Sequence, residues 1–220
     1  MERLNSLRNE VKVELFEHIM PFWTQLRDPR GGFYGYVDFN LQIDKDAIKG
    51  VILNSRILWF YSNIYLITGQ KDALELADHA FDFLIKYCLD KSYGGVYWML
   101  DADGTSCDDI KHTYNQAFAI YGLSSYYDAS KNPHALELAN SIFALIEDRC
   151  IDEYGYIEAF DRTWHPIDND KLSEDGFHAD KTMNTLLHII EAYTELYRVD
   201  RDVRVGEALK KVLYLCFKNV

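Results

Sequence analysis

Arg56, Tyr114, Asn184 and His188 are polar residues set into stretches that are otherwise apolar. Arg56 interrupts VILNSRILWF, Tyr114 and Asn115 interrupt HTYNQAFAIY, and Asn184 and His188 interrupt TMNTLLHII. A guanidinium is rarely buried alone, so Arg56 is expected to meet a carboxylate or to face a wet cleft. Asn184 and His188 are four apart, which puts them on one face of a helix. An imidazole moves protons near neutral pH, so His188 is the candidate catalytic residue. A satisfied core network is the competing explanation, because a lone His on an apolar face more often packs than reacts. His112 and His178 lie near helix starts, where they would line a cleft mouth. Trp59, one turn after Arg56, offers a flat apolar face with a polar edge, the kind of surface on which a sugar stacks. Asn54, Asn115 and Asn184 recur near the starts of three apolar stretches, and that recurrence fits a loop- or cap-fixing role.

Other chemistries have weaker support. No HxxxH, HExxH or CxxC spacing occurs, so no metal site is expected. No phosphate loop or dinucleotide fingerprint is present, and no cofactor is expected. The carboxylate pairs Asp101/Asp103, Asp108/Asp109 and Glu174/Asp175 fall in loops. A glycosidase needs two carboxylates facing each other across a bond, and these pairs keep that reading open.

The elements that position these residues repeat. ALELADHAFDFLIKYC and ALELANSIFALIEDRC begin at Ala73 and Ala135, about 62 residues apart. Each follows an aromatic, glycine-rich loop: GFYGYVD from Gly32, GVYWMLD from Gly95 and, in a third copy, GYIEAFD from Gly155. Lys49, Lys111 and Lys181 open the apolar segment after each loop. One unit is therefore loop, helix, helix, which signals a stacked or closed array of helix pairs. Apolar spacing predicts seven helices, over about 3–27, 49–68, 71–89, 111–129, 133–149, 180–197 and 202–218. Pro21 is a candidate kink in the first. The second, fourth and sixth are apolar nearly all round and read as inner. The third, fifth and seventh carry one charged face and read as outer. The loops read as short hairpin strands at one end of the array. The long irregular stretch over 161–179 is a candidate lid.

The chain has 220 residues, 48% of them hydrophobic, and a net charge of −12. That charge argues against nucleic acid and anionic membranes as partners. The four cysteines read as reduced thiols in a cytoplasmic protein. No apolar run reaches membrane-spanning length.

The segments GGFYGYVD, KGVILNSRILWFYS, YGGVYWMLD, KHTYNQAFAIY, YGYIEAFDRTW and DKTMNTLLHIIEAYTELY together resemble the N-acylglucosamine 2-epimerase superfamily, and within it the cellobiose 2-epimerases. The resemblance implies an all-α fold, an α/α toroid of the (α/α)6-barrel type, and no cofactor. It implies interconversion of glucose and mannose configurations at the reducing end of β-1,4-linked disaccharides such as cellobiose. Arg56 would bind the reducing-end sugar, Tyr114 and Asn184 its hydroxyls, and His188 the opened C1–C2 region. The family's acid/base histidine pair lies in the barrel half beyond the equivalent of Val220. Residues 1–220 are accordingly expected to form an N-terminal half, an incomplete ring of about seven helices that pairs with itself or with a C-terminal half. An aldose–ketose isomerase, an N-acylglucosamine 2-epimerase and a non-catalytic sugar-binding fragment remain alternatives.

Overall fold

The computed structural model describes residues 2–169 and 179–219. Residues 170–178 of the expected lid, with Glu174, Asp175 and His178, lie outside the described residues. The chain begins with α1 (Glu2–Val13) and α2 (Met20–Gln25), joined by a π-helical turn over Glu14–Ile19. Three hairpins follow: α3 (Val51–Thr68) with α4 (Lys71–Phe83), α5 (Thr113–Ser130) with α6 (Pro133–Arg149), and α7 (Met183–Asp200) with α8 (Val203–Asn219). A second π turn, Leu84–Cys88, extends α4. The seven expected helices are thus present, with the first broken into two. Its irregularity lies before Pro21 and not at it. Proline has no N–H to complete the ladder, and the wide turn immediately precedes it.

Helices α3, α5 and α7 pack side by side, and α4, α6 and α8 each pack on the helix before them. This is the inner and outer alternation of an α/α toroid. Helix α5 is flanked by both α3 and α7 and is the most buried, from Thr113 through Tyr126 on nearly every side. Close approach at its centre requires Gly122, where a Cβ would come within 2.6 Å of the Ser55 carbonyl oxygen of α3. The three inner helices end alike. Gly69, Lys131 and Arg201 adopt left-handed φ near +60 to +70°, and each N–H returns to a carbonyl four residues back. Asn132 caps α6 through the His134 N–H, and Thr182 caps α7 through the Thr185 N–H.

The glycine-rich loops form short strands, as expected, over Tyr36–Val37, Met99–Leu100 and Ala159–Phe160. Gly31, Gly32, Gly94, Gly95 and Gly155 make turns at positive φ ahead of the paired residues. β1 (Tyr36–Val37) pairs with β2 (Ile43–Asp44). β3 (Lys49–Gly50) pairs with β4 (Met99–Leu100), which pairs with β5 (Ser106–Asp108). β6 (Lys111–His112) pairs with β7 (Ala159–Phe160). The starts of α3 and α5 are therefore each stitched to the loop of the next unit. A buried ion pair repeats beneath: Lys49 Nζ lies 2.7 Å from Asp28, and Lys111 Nζ 3.1 Å from Asp90. Lys181 meets Asp152 at 2.8 Å, half-exposed.

Among the described residues, no helix is long and apolar enough to cross a membrane.

Candidate active site

The loop ends of the inner helices hold the site, and polar latches fix those loops. Asn54 Oδ1 accepts the Phe33 N–H, and its amide donates to the Gly50 carbonyl. Gln116 accepts the Val96 N–H at 2.8 Å and donates back to the Val96 carbonyl at 2.9 Å. Asn54 and Gln116 each stand five residues after the lysine that opens the helix, so they are the equivalent pair. A Cβ on Gly32 or Gly95 would come within 2.6 Å of the latching oxygen, which is why the loop carries glycine there. The expectation that Asn54, Asn115 and Asn184 occupy equivalent positions is therefore corrected. Asn115 is buried and donates to the Tyr97 carbonyl, while Asn184 is exposed at the start of α7. The loop-fixing role holds for Asn54 and Asn115.

Beside these latches the inner helices present one continuous aromatic and charged wall. The Arg56 guanidinium sits 5.1 Å from the centre of the Phe118 ring. The His188 ring lies 4.5 Å from Phe118 and 4.9 Å from Tyr114, the latter edge-on. Trp59 stacks on Tyr121 at 5.4 Å with 20° between the planes. Arg56, Trp59, Phe118, Tyr121, His188 and Glu191 line a pocket of about 210 Å³. It adjoins a larger hollow of about 490 Å³, mainly apolar, where Arg56 and Trp59 meet Trp23, Leu53 and Phe60. His188 Nδ1 lies 2.7 Å from a Glu191 carboxylate oxygen. Burial, reinforced by the charges of Glu191 and Glu195, pushes the Tyr121 hydroxyl above its ordinary range, so it remains a donor.

Three helices thus bring Arg56, Trp59, Tyr114 and His188 together across 132 residues of sequence. Asn184 lies one helical turn before His188, at the rim. His112 is a correction. It is wholly buried, packed 4.6 Å from Trp98, with both ring nitrogens lacking a hydrogen-bond partner and Nδ1 3.8 Å from Glu158. It is buried within β6, paired with Ala159 of β7, and not exposed at a cleft mouth. Sequence reasoning missed Phe118, Tyr121 and Glu191. Helical spacing held the signal. Tyr114, Phe118 and Tyr121 fall on one stripe of α5, and Glu191 falls three residues after His188.

Asp161 hydrogen-bonds within its own turn, to Thr163 and the His165 N–H. Asp90, well inside the protein, is engaged by Lys111 and Arg162.

Residues 32–219 match the model of the N-acylglucosamine 2-epimerase family. The chain belongs to that family. This epimerase-family chain is 57% identical over 203 residues to a cellobiose 2-epimerase of Ruminococcus albus, covering 92% of this chain and 52% of that protein. It is 50% identical to a cellobiose 2-epimerase of Eubacterium cellulosolvens, covering 97% and 53%. The crystal structure of a sugar epimerase from a ruminal bacterium superposes with a TM-score of 0.91 at 56% identity, covering 93% of this chain and 53% of the other. The chain spans about half the length of the relatives it matches. A glycoside hydrolase family 76 mannanase, 20% identical with a TM-score of 0.65, shares the fold alone.

Proposed function

We propose that this chain forms the N-terminal half of a sugar 2-epimerase acting at the reducing end of β-1,4-linked disaccharides, cellobiose first. The observation that carries the reading is the convergence of Arg56, Trp59 and His188 on one pocket, with Tyr114 against the His188 ring, in a chain that resembles cellobiose 2-epimerases along nearly its whole length.

The chemistry accounts for the residue types. The sugar opens to its aldehyde, and a base removes the C2 proton to give an enediolate. Reprotonation on the opposite face inverts C2. Negative charge develops on the aldehyde oxygen during proton removal, and the Arg56 guanidinium is a fixed cation at that wall. The imidazole of His188 faces the C1–C2 region and hydrogen-bonds its oxygens. The stacked Trp59 and Tyr121 rings offer an apolar platform to the sugar ring. The resemblance places the proton-transferring histidine pair in the remaining half of the barrel. Exposed apolar side chains support a docked partner at both ends of the helix arc: Leu4, Leu7 and Val11 on α1, and Leu213, Tyr214 and Phe217 on α8. The C-terminal half of the barrel is the occupant we assign, with a second copy of this chain as the alternative. The reading places the protein in the cytoplasm, where its four free cysteines stay reduced.

Proton NMR with cellobiose in heavy water tests the reading. Deuterium at C2 together with a mannose-type reducing end supports it. The chain is assayed alone and with the C-terminal half of a homologous cellobiose 2-epimerase. Activity of the chain alone favours self-association, and activity only on mixing favours the second half. No exchange in either assay overturns the epimerase reading. A ketose product carrying deuterium at C1 would replace it with an aldose–ketose isomerase.

A further inference from the structure

The wall that carries His188 contains a carboxylate that the proposed chemistry does not use. Glu191 follows His188 by three residues on α7, and its Oε2 lies 2.7 Å from Nδ1. Both line the same pocket. An ionised carboxylate can only accept a hydrogen bond, so Nδ1 must carry the proton in this contact. In the neutral ring that leaves Nε2 with the lone pair. The Tyr114 ring meets the imidazole edge-on at 4.9 Å, and Phe118 lies tilted against it at 4.5 Å. The ring is therefore held by two aromatic contacts and one directional bond.

We propose that Glu191 is a positioning residue for the sugar epimerisation: it holds His188 as the Nδ1–H tautomer, so that Nε2 accepts a hydrogen bond from a reducing-end hydroxyl of the substrate. The inference rests on the epimerase reading for its consequence in turnover, but the tautomer stands on geometry alone. It follows the general rule that the bond made by one imidazole nitrogen sets the role of the other. The Glu191 side chain is 51% exposed, and exposed ion pairs contribute little to stability. Variants at this position therefore keep the fold.

The test is nitrogen-15 NMR of histidine-labelled chain at about pH 8.5, above the ordinary histidine range. The His188 signals are assigned by their loss in His188→Gln. The wild-type ring should show a protonated Nδ1 and a lone-pair Nε2. Glu191→Gln should keep that pattern, since an amide oxygen accepts the same bond. Glu191→Leu should shift it toward the Nε2–H form that a free imidazole favours. A wild-type Nε2–H ring, or a Leu variant with an unchanged pattern, overturns the proposal. In the cellobiose assay, Glu191→Leu should lower kcat by about 10- to 100-fold with KM nearly unchanged, and Glu191→Gln should retain most of the activity. An equal loss in both variants would make the charge the active feature and overturn the tautomer role. A wild-type chain without turnover both alone and with the added C-terminal half would defeat the epimerase reading, while the tautomer comparison still judges Glu191.

Discussion

Asp90 concentrates the electrostatics of the loop end in one residue. Burial opposes its ionisation, but hydrogen bonds from Arg162, the Ser92 N–H and Lys111 outweigh burial and hold the carboxyl well below its ordinary value of 3.8. Lys111 is pulled down by its own burial and held up by Asp90. Its ammonium also lies 4.6 Å from the centre of the Tyr97 ring. Asp90→Asn would leave Lys111 buried beside a neutral partner. Breaking such a pair is expected to cost about 3–5 kcal/mol, readable as a lower urea midpoint. The folded pKa lies below the unfolded one, so the wild-type contribution is complete above the unfolded value and disappears as pH falls through the folded value. Urea unfolding at neutral and acid pH should show stability falling below about pH 4, with a shallower fall in Asp90→Asn. At the site, Arg56→Ala should lower kcat by about 10²- to 10³-fold, the usual cost of losing one oxyanion donor. Thiol chemistry separates by burial. Burial pushes the Cys150 thiol up to about 12 and raises Cys88 as well, whereas Cys107 is exposed. Iodoacetamide followed by peptide mass mapping should find Cys107 modified while Cys88 and Cys150 remain free.

At the scale of elements, two glycines separate backbone strain from packing. Gly69 ends α3 at φ +70°, and a Cβ there would meet nothing within 4 Å. Gly69→Ala should therefore cost only the left-handed backbone term, about 1–2 kcal/mol. Gly122 has ordinary helical backbone, yet a Cβ would press on the α3 backbone at Ser55. Gly122→Ala should cost about 1–3 kcal/mol by overpacking, and it should also disturb the wall, because α3 carries Arg56 and α5 carries Phe118. Thermal unfolding ranks the two, and the cellobiose assay separates them, since Gly69 lies at the end of α3 far along the chain from Arg56. Helix ends and faces could be read from sequence here because capping and amphipathicity are local. The charged faces of α4, α6 and α8 announce the outer layer. Strand pairing could not be read in the same way. Lys49 pairs with Leu100 and Lys111 with Phe160, contacts of about 50 residues' separation that no local pattern encodes.

For the whole molecule, the apolar residues exposed on α1 and α8 set the expectation for assembly. Exposed apolar surface of this kind favours association in water. Sedimentation velocity should show either self-association of the chain or a one-to-one complex once a C-terminal half is added. Leu7→Glu combined with Phe217→Glu should weaken that complex and leave the helix content unchanged by circular dichroism. A complex of undiminished stability in the double variant would move the docking surface elsewhere on the molecule.

The sequence by itself determined the repeat, the number of helices, their inner and outer order and the family, because each rests on periodicity or on motifs contiguous in the chain. It also singled out Arg56, Tyr114 and His188, since polar groups inside apolar helices must answer to something. Only the tertiary structure decided what they answer to. It placed Phe118 between Arg56 and His188, supplied Glu191 to the imidazole, made Gln116 the true counterpart of Asn54, and buried His112 in the β6–β7 pair. Those outcomes depend on the relative rotation and offset of packed helices and on strand pairing between distant loops. Such geometry is set by close packing across the whole core, and a single stretch of sequence does not contain it.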